Sequence, residues 1–258
     1  MPDLLDKLID DATRRIAAGY YDIKHSIEHE PVSLRRAIKF ARKNAIIAEI
    51  KPASPSLGSI RPKANSVETA VSLANGGAIA LSILTEPDNF GGNIESLQRI
   101  REKVNLPLLM KDIIINEAQI QAGRQSGADC ILLIESVFSR CPFMSLDDMI
   151  DEAHRNKLEI ILEAHSKMEF EKALKSEADI VGINNRDLAT LRTDVNTTKR
   201  LLEQVGQHGD KMLISESGFE TADDIRRVKL APVSGFLIGS SIMVSQDMES
   251  KVREFVFA

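Results

Sequence analysis

Ser126-Gly127-Ala128-Asp129-Cys130-Ile131-Leu132-Leu133-Ile134 is a turn that runs straight into a continuously apolar strand. The turn recurs in altered form as Ser176-Glu177-Ala178-Asp179 ahead of residues 180–184, and as Gly76-Gly77-Ala78 ahead of 79–84. This is a weak internal repeat of one strand-plus-helix unit. Working outward, strand-like runs occupy 46–50, 79–84, 108–111, 130–134, 159–163, 180–184, 212–215 and 236–239. They recur at intervals of roughly 20 to 35 residues, which leaves room for one crossover helix each. The runs are apolar without alternation, as parallel strands covered on both faces should be. Between them, Val67, Ala70, Val71 and Ala74 share a face of a helix over 66–75. Asn116 can cap a second over 117–126, and Met149, Ile150 and Ala153 are helix-spaced within 147–155. Thr221 can cap a fourth that runs to Val228, with Asp223 and Asp224 in the first turn, where the helix dipole favours acids.

Eight such units in about 210 residues predict an α/β fold, a (β/α)8 barrel, more readily than a doubly wound sheet. Leu4, Leu5, Leu8 and Ile9 are helix-spaced, and Ser33 can start a second helix through Ala41. Residues 1–45 are therefore predicted to form a helical extension packed on a barrel over 46–258, within a single domain.

The 258 residues carry 33 Lys plus Arg against 38 Asp plus Glu, so the net charge of −5 argues against a general nucleic-acid binder. Aromatic residues are 4% and Trp is absent, which removes the stacking platforms that single strands need. No apolar run approaches the 18 residues of a membrane span, and Met1-Pro2-Asp3 opens no signal pattern. Cys130 and Cys141 have no metal-ligand spacing, and a reducing cytoplasm is the simplest compartment.

In a barrel of this kind, chemistry sits at the C-terminal strand ends. Polar groups gather there: Glu49 and Lys51 after the first strand, Lys111-Asp112 after the third, Glu163 after the fifth, Asn184-Asn185-Arg186 after the sixth, and Ser215-Glu216-Ser217-Gly218 after the seventh. Singly, each has a plainer reading. Lys111 could be a solvated strand-end lysine, Glu49 a structural partner of Lys51, Glu163 a helix-capping carboxylate and Asn184-Asn185 a turn. His165 reads as a loop residue. Jointly, five converging polar ends are read as a site, since burying unpaired charge is costly.

Gly235-Phe236-Leu237-Ile238-Gly239-Ser240-Ser241 leads the eighth strand into a helix, and the seventh ends in Ser217-Gly218. Loops after the last two strands, with a short helix N-terminus, form a recurrent phosphate site. The alternative is a C-cap glycine followed by an N-cap serine. Lysine and glutamate beside a phosphate site imply acid–base chemistry on a phosphorylated small molecule.

Several motifs, in order along the chain, resemble those of the indole-3-glycerol phosphate synthase family. They are Ile47-Ala48-Glu49-Ile50-Lys51-Pro52-Ala53-Ser54-Pro55-Ser56-Leu57-Gly58, Leu84-Thr85-Glu86-Pro87 with Phe90-Gly91-Gly92, Pro107-Leu108-Leu109-Met110-Lys111-Asp112, Val181-Gly182-Ile183-Asn184-Asn185-Arg186-Asp187-Leu188 and Ser215-Glu216-Ser217-Gly218. The resemblance implies a carboxy-lyase of tryptophan biosynthesis. Its reaction converts 1-(2-carboxyphenylamino)-1-deoxyribulose 5-phosphate to indole-3-glycerol phosphate, CO2 and water. It implies no cofactor or metal, a small phosphorylated substrate, no nucleic-acid or membrane partner, and a cytoplasmic monomer.

By matching motif, Lys111 would be the general acid at the carbonyl and Glu163 the acid or base of the later dehydration. Lys51 would position substrate and supply charge or a proton, Glu49 would hold the lysines, and Asn184 would orient the reacting hydroxyl. Ser54 and Arg186 would meet the anthranilate side. Phe90, Leu133 and Leu188 would line the aromatic pocket. Ser217, Gly218, Gly239 and Ser240 would take the phosphate, with Lys51 nearby and Ser217 also counted with the catalytic set. Two departures stand out: Ile113 replaces an aromatic residue common in the family, and the extension has no Trp. A barrel resembling phosphoribosylanthranilate isomerase would use a Cys and Asp pair at strand ends, where this chain has Glu49 and Lys51. A non-catalytic phosphate-binding barrel would not need Lys51, Lys111 and Glu163 together.

Overall fold

Eight parallel strands pair in sequence order and the last pairs back to the first, closing a barrel. The computed structural model describes residues 3–55, 58–61, 65–141, 144–187, 190–206 and 208–258. The barrel strands are β1 (Ile46–Ile50), β2 (Ala80–Leu84), β3 (Leu108–Lys111), β4 (Cys130–Ile134), β5 (Glu159–Ala164), β6 (Ile180–Asn184), β7 (Met212–Glu216) and β8 (Gly235–Ile238). Closure excludes the doubly wound sheet. Of the predicted strands, those at 159–163 and 212–215 extend to Ala164 and Glu216, and the second begins at Ala80. The eighth lies one residue earlier than predicted, because Gly239 has turned out of strand geometry (φ −125°, ψ −68°) to start helix Ser240–Val244.

The repeated turn has a physical job. Asp129 accepts a hydrogen bond from the Leu108 N–H at 2.9 Å, and Asp179 accepts one from the Ile160 N–H at 2.9 Å. In each, the aspartate that enters one strand holds the start of the strand before it. Both residues therefore mark the N-terminal rim, opposite the charged strand ends.

The predicted helices are present with small changes of boundary. Leu146–Arg155 is capped by Ser145, and Ala222–Val228 by a capping box of Thr221 and Asp224. Helices that periodicity does not single out also occur, among them Ile94–Arg101, Lys167–Lys175 and Asn196–Val205. Among the described residues, no helix is long and apolar enough to cross a membrane.

The extension links both rims. Its first helix, α1 (Leu4–Ala17), is fixed at its start by a capping box of Asp3 and Asp6 and buries Leu5, Leu8 and Ala12 near the C-terminal strand ends. The chain then descends. His29 Nε2 and the Val32 N–H reach Asp129 at 3.0 and 2.8 Å, and the Arg35 N–H reaches Glu159 at the base of β5. The second helix, α2 (Leu34–Lys39), begins at Ser33 as predicted but stops before Ala41.

Phe170, on helix Lys167–Lys175, is among the largest fully buried side chains. Truncation leaves a cavity as well as losing burial. Phe170→Ala is expected to lower unfolding free energy by about 3–5 kcal/mol, measured by urea denaturation with an unchanged slope.

Candidate active site

A cavity of about 1000 Å³ opens at the C-terminal strand ends. Register brings its floor together. Glu163 on β5 lies opposite Gly182 on β6, and Asn184 lies opposite Glu216 on β7. Lys111 Nζ stands 3.3 Å from Glu163 Oε2 and 3.8 Å from Glu216 Oε2. Asn184 donates from Nδ2 to Glu163 Oε1 at 3.0 Å and accepts from the Arg186 N–H at 2.9 Å. Lys51 Nζ pairs with Glu49 Oε1 at 2.8 Å. The contacts to Glu49 and Glu163 are charge-assisted, and these buried carboxylates need such partners.

Two glycines make room for the carboxylates. A Cβ at Gly182 would lie 2.1 Å from Glu216 Oε1, and one at Gly239 would lie 2.4 Å from Glu49 Oε1. The second contact gives Gly239 a role beyond backbone approach to phosphate: any side chain there displaces Glu49.

Burial opposes the Lys111 ammonium, but Glu163, Glu216 and Glu49 outweigh it and hold the amine protonated well above the ordinary lysine range. For Glu49, burial is likewise outweighed, by Lys51 and then Lys111, and its carboxyl is held below its usual value. Glu216 goes the other way. Burial, followed by the nearby Glu163 charge, pushes it up to about 8 against the pull of Lys111. Two carboxyls beside one lysine thus hold a proton near neutrality, the condition that acid–base exchange needs.

The wall after β7 is strained. Ser217 has φ 68° and Gly218 φ 86°, both in the left-handed region, which is costly for serine. Asn185, almost wholly buried, holds this turn: its Nδ2 donates to the Ser217 carbonyl and to Ser215 Oγ, each at 3.0 Å. Its Oδ1 accepts from the N–H and Oγ1 of Thr198. Ser217, Gly218, Gly239 and Ser240 all line the cavity.

The predicted residues are therefore largely gathered. Glu49, Lys51, Ser54, Phe90, Lys111, Glu163, Asn184, Arg186, Ser217, Gly218, Gly239 and Ser240 line the cavity. Leu188 lies outside the described residues. Leu133 is a correction: it is buried in the core, while its neighbours Leu132 and Ile134 line the cavity. Strand side chains alternate, so the prediction falls one residue out of phase.

Glu216 and Asn185 stand among the polar strand ends in the sequence, but sequence reasoning gives neither a role of its own. The signal for Glu216 was its place at a strand end beside Ser217, and Asn185 could be read as a turn residue. Leu4 and Leu8 of α1 and Ile113 complete the apolar wall in a chain without Trp.

The combination of this floor with the motifs that supply it runs the length of the chain, and residues 6–255 match the family described as indole-3-glycerol phosphate synthase. The chain belongs to that family. Among its relatives, the indole-3-glycerol phosphate synthase of Methanocaldococcus jannaschii is 44% identical over 229 residues, covering 86% of this chain and 82% of that protein. That of Koribacter versatilis is 35% identical and covers 99% of this chain and 100% of that protein. Among solved structures, tryptophan synthase subunit alpha from Legionella pneumophila superposes with a TM-score of 0.62 at 12% identity, over 86% of this chain and 94% of that one. At that identity the likeness is one of fold.

The proton on Glu216 has a thermodynamic signature. Folded Glu216 keeps it up to about pH 8, whereas the unfolded residue releases it near 4.5. Its contribution to stability is fully present below about pH 4.5 and is lost as pH rises to about 8. Glu216→Gln is expected to gain stability relative to wild type across that window, measured as paired urea midpoints at each pH.

Proposed function

We propose that the cavity closes an indole ring. The substrate would be 1-(2-carboxyphenylamino)-1-deoxyribulose 5-phosphate, and the products indole-3-glycerol phosphate, CO2 and water. The observation that carries this reading is the Lys111 ammonium set between Glu163 and Glu216, in a cavity that Ser217-Gly218 and Gly239-Ser240 also line.

The ligand's phosphate would sit against those two turns, where backbone N–H groups converge on an anion. Arg186, whose guanidinium is steadied by the Leu191 carbonyl at 2.9 Å, would meet the anthranilate carboxylate together with Ser54. Holding both ends bends the molecule, so that the ring carbon bearing the carboxylate approaches the carbonyl carbon. Lys111 then gives its proton to the carbonyl oxygen as the carbon–carbon bond forms. Loss of CO2 returns the electron pair to the ring system. The hydroxyl created by the first step leaves as water, with Glu163 taking the ring-side proton and Lys51, or Lys111 once it has regained a proton from solvent, supplying the other. Asn184, bonded to Glu163, would orient that hydroxyl. Glu49 balances Lys51, and the apolar wall of Phe90, Leu132, Ile134 and Leu8 would receive the aromatic ring. A barrel that only bound phosphate would have no use for this buried acid–base set.

Purified protein given this substrate is expected to generate indole fluorescence, and Lys111→Ala to lose about 10²–10⁴ in kcat, the range of a general acid. Tight binding with no turnover by wild type would refute the catalytic reading.

A further inference from the structure

A second buried ionic cluster adjoins the cavity, centred on Arg15 of α1; two of its acids, Glu86 and Asp112, are part of the cavity lining. Arg15 does not line the cavity, and its side chain is only 7% exposed. Its Nη1 reaches Glu86 Oε1 at 2.8 Å and Asp88 Oδ2 at 2.7 Å, while Nη2 faces Asp112 Oδ1 at 3.5 Å. One guanidinium thus serves carboxylates from the ends of two different strands. Tyr21 adds a hydrogen bond from its hydroxyl to Asp112 Oδ2 at 3.1 Å, and Tyr20 one to the Thr85 carbonyl at 2.8 Å.

Glu86 and Asp112 each hold a further cavity residue in place. Glu86, fully buried, accepts at Oε2 from the N–H groups of Asn89 and Phe90 at 2.8 and 2.9 Å. It is the N-cap of the single turn Pro87–Phe90 that presents Phe90 to the cavity. Asp112 directly follows Lys111. Its Oδ1 accepts from the Ile113 N–H at 2.8 Å and its Oδ2 from Thr85 Oγ1 at 2.6 Å, which fixes the backbone on which Lys111 stands. Burial raises the Asp112 carboxyl to about 6 even with Thr85 and Arg15 beside it, so losing the cation would leave a charge there harder still to keep.

We propose that Arg15 is a positioning residue of the active site: through Glu86 it sets the turn carrying Phe90, and through Asp112 it sets the strand end carrying Lys111. This rests on the role given to the cavity above. The extension then does more than cover the barrel. It supplies the one cation among the described residues that pairs with Glu86, Asp88 and Asp112 together.

The two arms predict different kinetics. In Glu86→Gln the single remaining oxygen cannot serve both the turn and Arg15, so KM is expected to rise about fivefold with kcat within about threefold. In Asp112→Asn the shape is kept and the charge lost, so kcat is expected to fall about tenfold or more with KM within about twofold. Arg15→Met should show both changes and Arg15→Lys an intermediate effect, since lysine cannot fork to three carboxylates. As a readout independent of turnover, the lysine Nζ nitrogen NMR signal that disappears in Lys111→Arg should shift in Arg15→Met and Asp112→Asn. If Arg15→Met does not fold, the two shape-preserving acid variants decide the matter. Folded variants with a lower Tm, but with kcat and KM within about twofold of wild type and an unmoved Lys111 signal, would overturn the proposal. If wild type itself shows no turnover, the ring-closure reading fails, and the Lys111 signal alone then supports or overturns the positioning role.

Discussion

Charge balance among buried carboxylates at the C-terminal end of the barrel is the constraint on which the site depends. Glu49, Glu163 and Glu216 are all nearly inaccessible to solvent, and carboxylates in that setting need partners. Lys51 answers Glu49, Lys111 answers Glu163, and Glu216 keeps its proton near neutrality. Remove either lysine and a buried carboxylate is stranded. Remove the proton from Glu216 and the cluster gains one uncompensated charge. The barrel tolerates this arrangement because the strands around it contribute glycines, Gly182 and Gly239, where side chains would collide with the carboxylates.

Rigidity around that cluster comes from polar groups that are themselves satisfied. Asn185 spends both ends of its amide on the turn after β7 and on Thr198, and so holds Ser217 in a conformation that serine adopts only under constraint. Asp129 and Asp179 do comparable work at the opposite rim, each binding the first N–H groups of the preceding strand. A fold made of repeated units thus uses side-chain-to-backbone bonds at one end to fix strand starts, and at the other to fix the loops that face the cavity.

Much of this was legible in the sequence. Apolar runs too continuous to be half-exposed announce parallel strands, and lysines and glutamates directly after them announce the face that carries chemistry. The misplacements have physical reasons. Leu133 fails because alternation along a strand is invisible when every residue of the run is apolar. The eighth strand slips by one because Gly239, which continues the run in the sequence, has already left strand geometry to start the helix. Glu216 goes unassigned because its partners, Glu163 and Lys111, come from other strands, and only barrel closure sets that register. The same holds for Arg15, which sits in an amphipathic helix like any surface arginine until the fold brings Glu86 to it from 71 residues away.

That separation has a consequence for how the protein is made. The helix Leu4–Ala17 is synthesised before any strand, yet the acids that receive Arg15 follow only after β2 and β3. Throughout that stretch of translation, the helix lacks part of its native partners, Asp112 among them, and with them part of the support that stabilises short helices. This segment therefore leaves the ribosome before every strand of the barrel and cannot complete its docking until Asp112 has followed. A nascent chain stalled before Asp112 would leave the helix incompletely docked, with its stripe of Leu5, Leu8 and Ala12 open to a holding chaperone or to a protease.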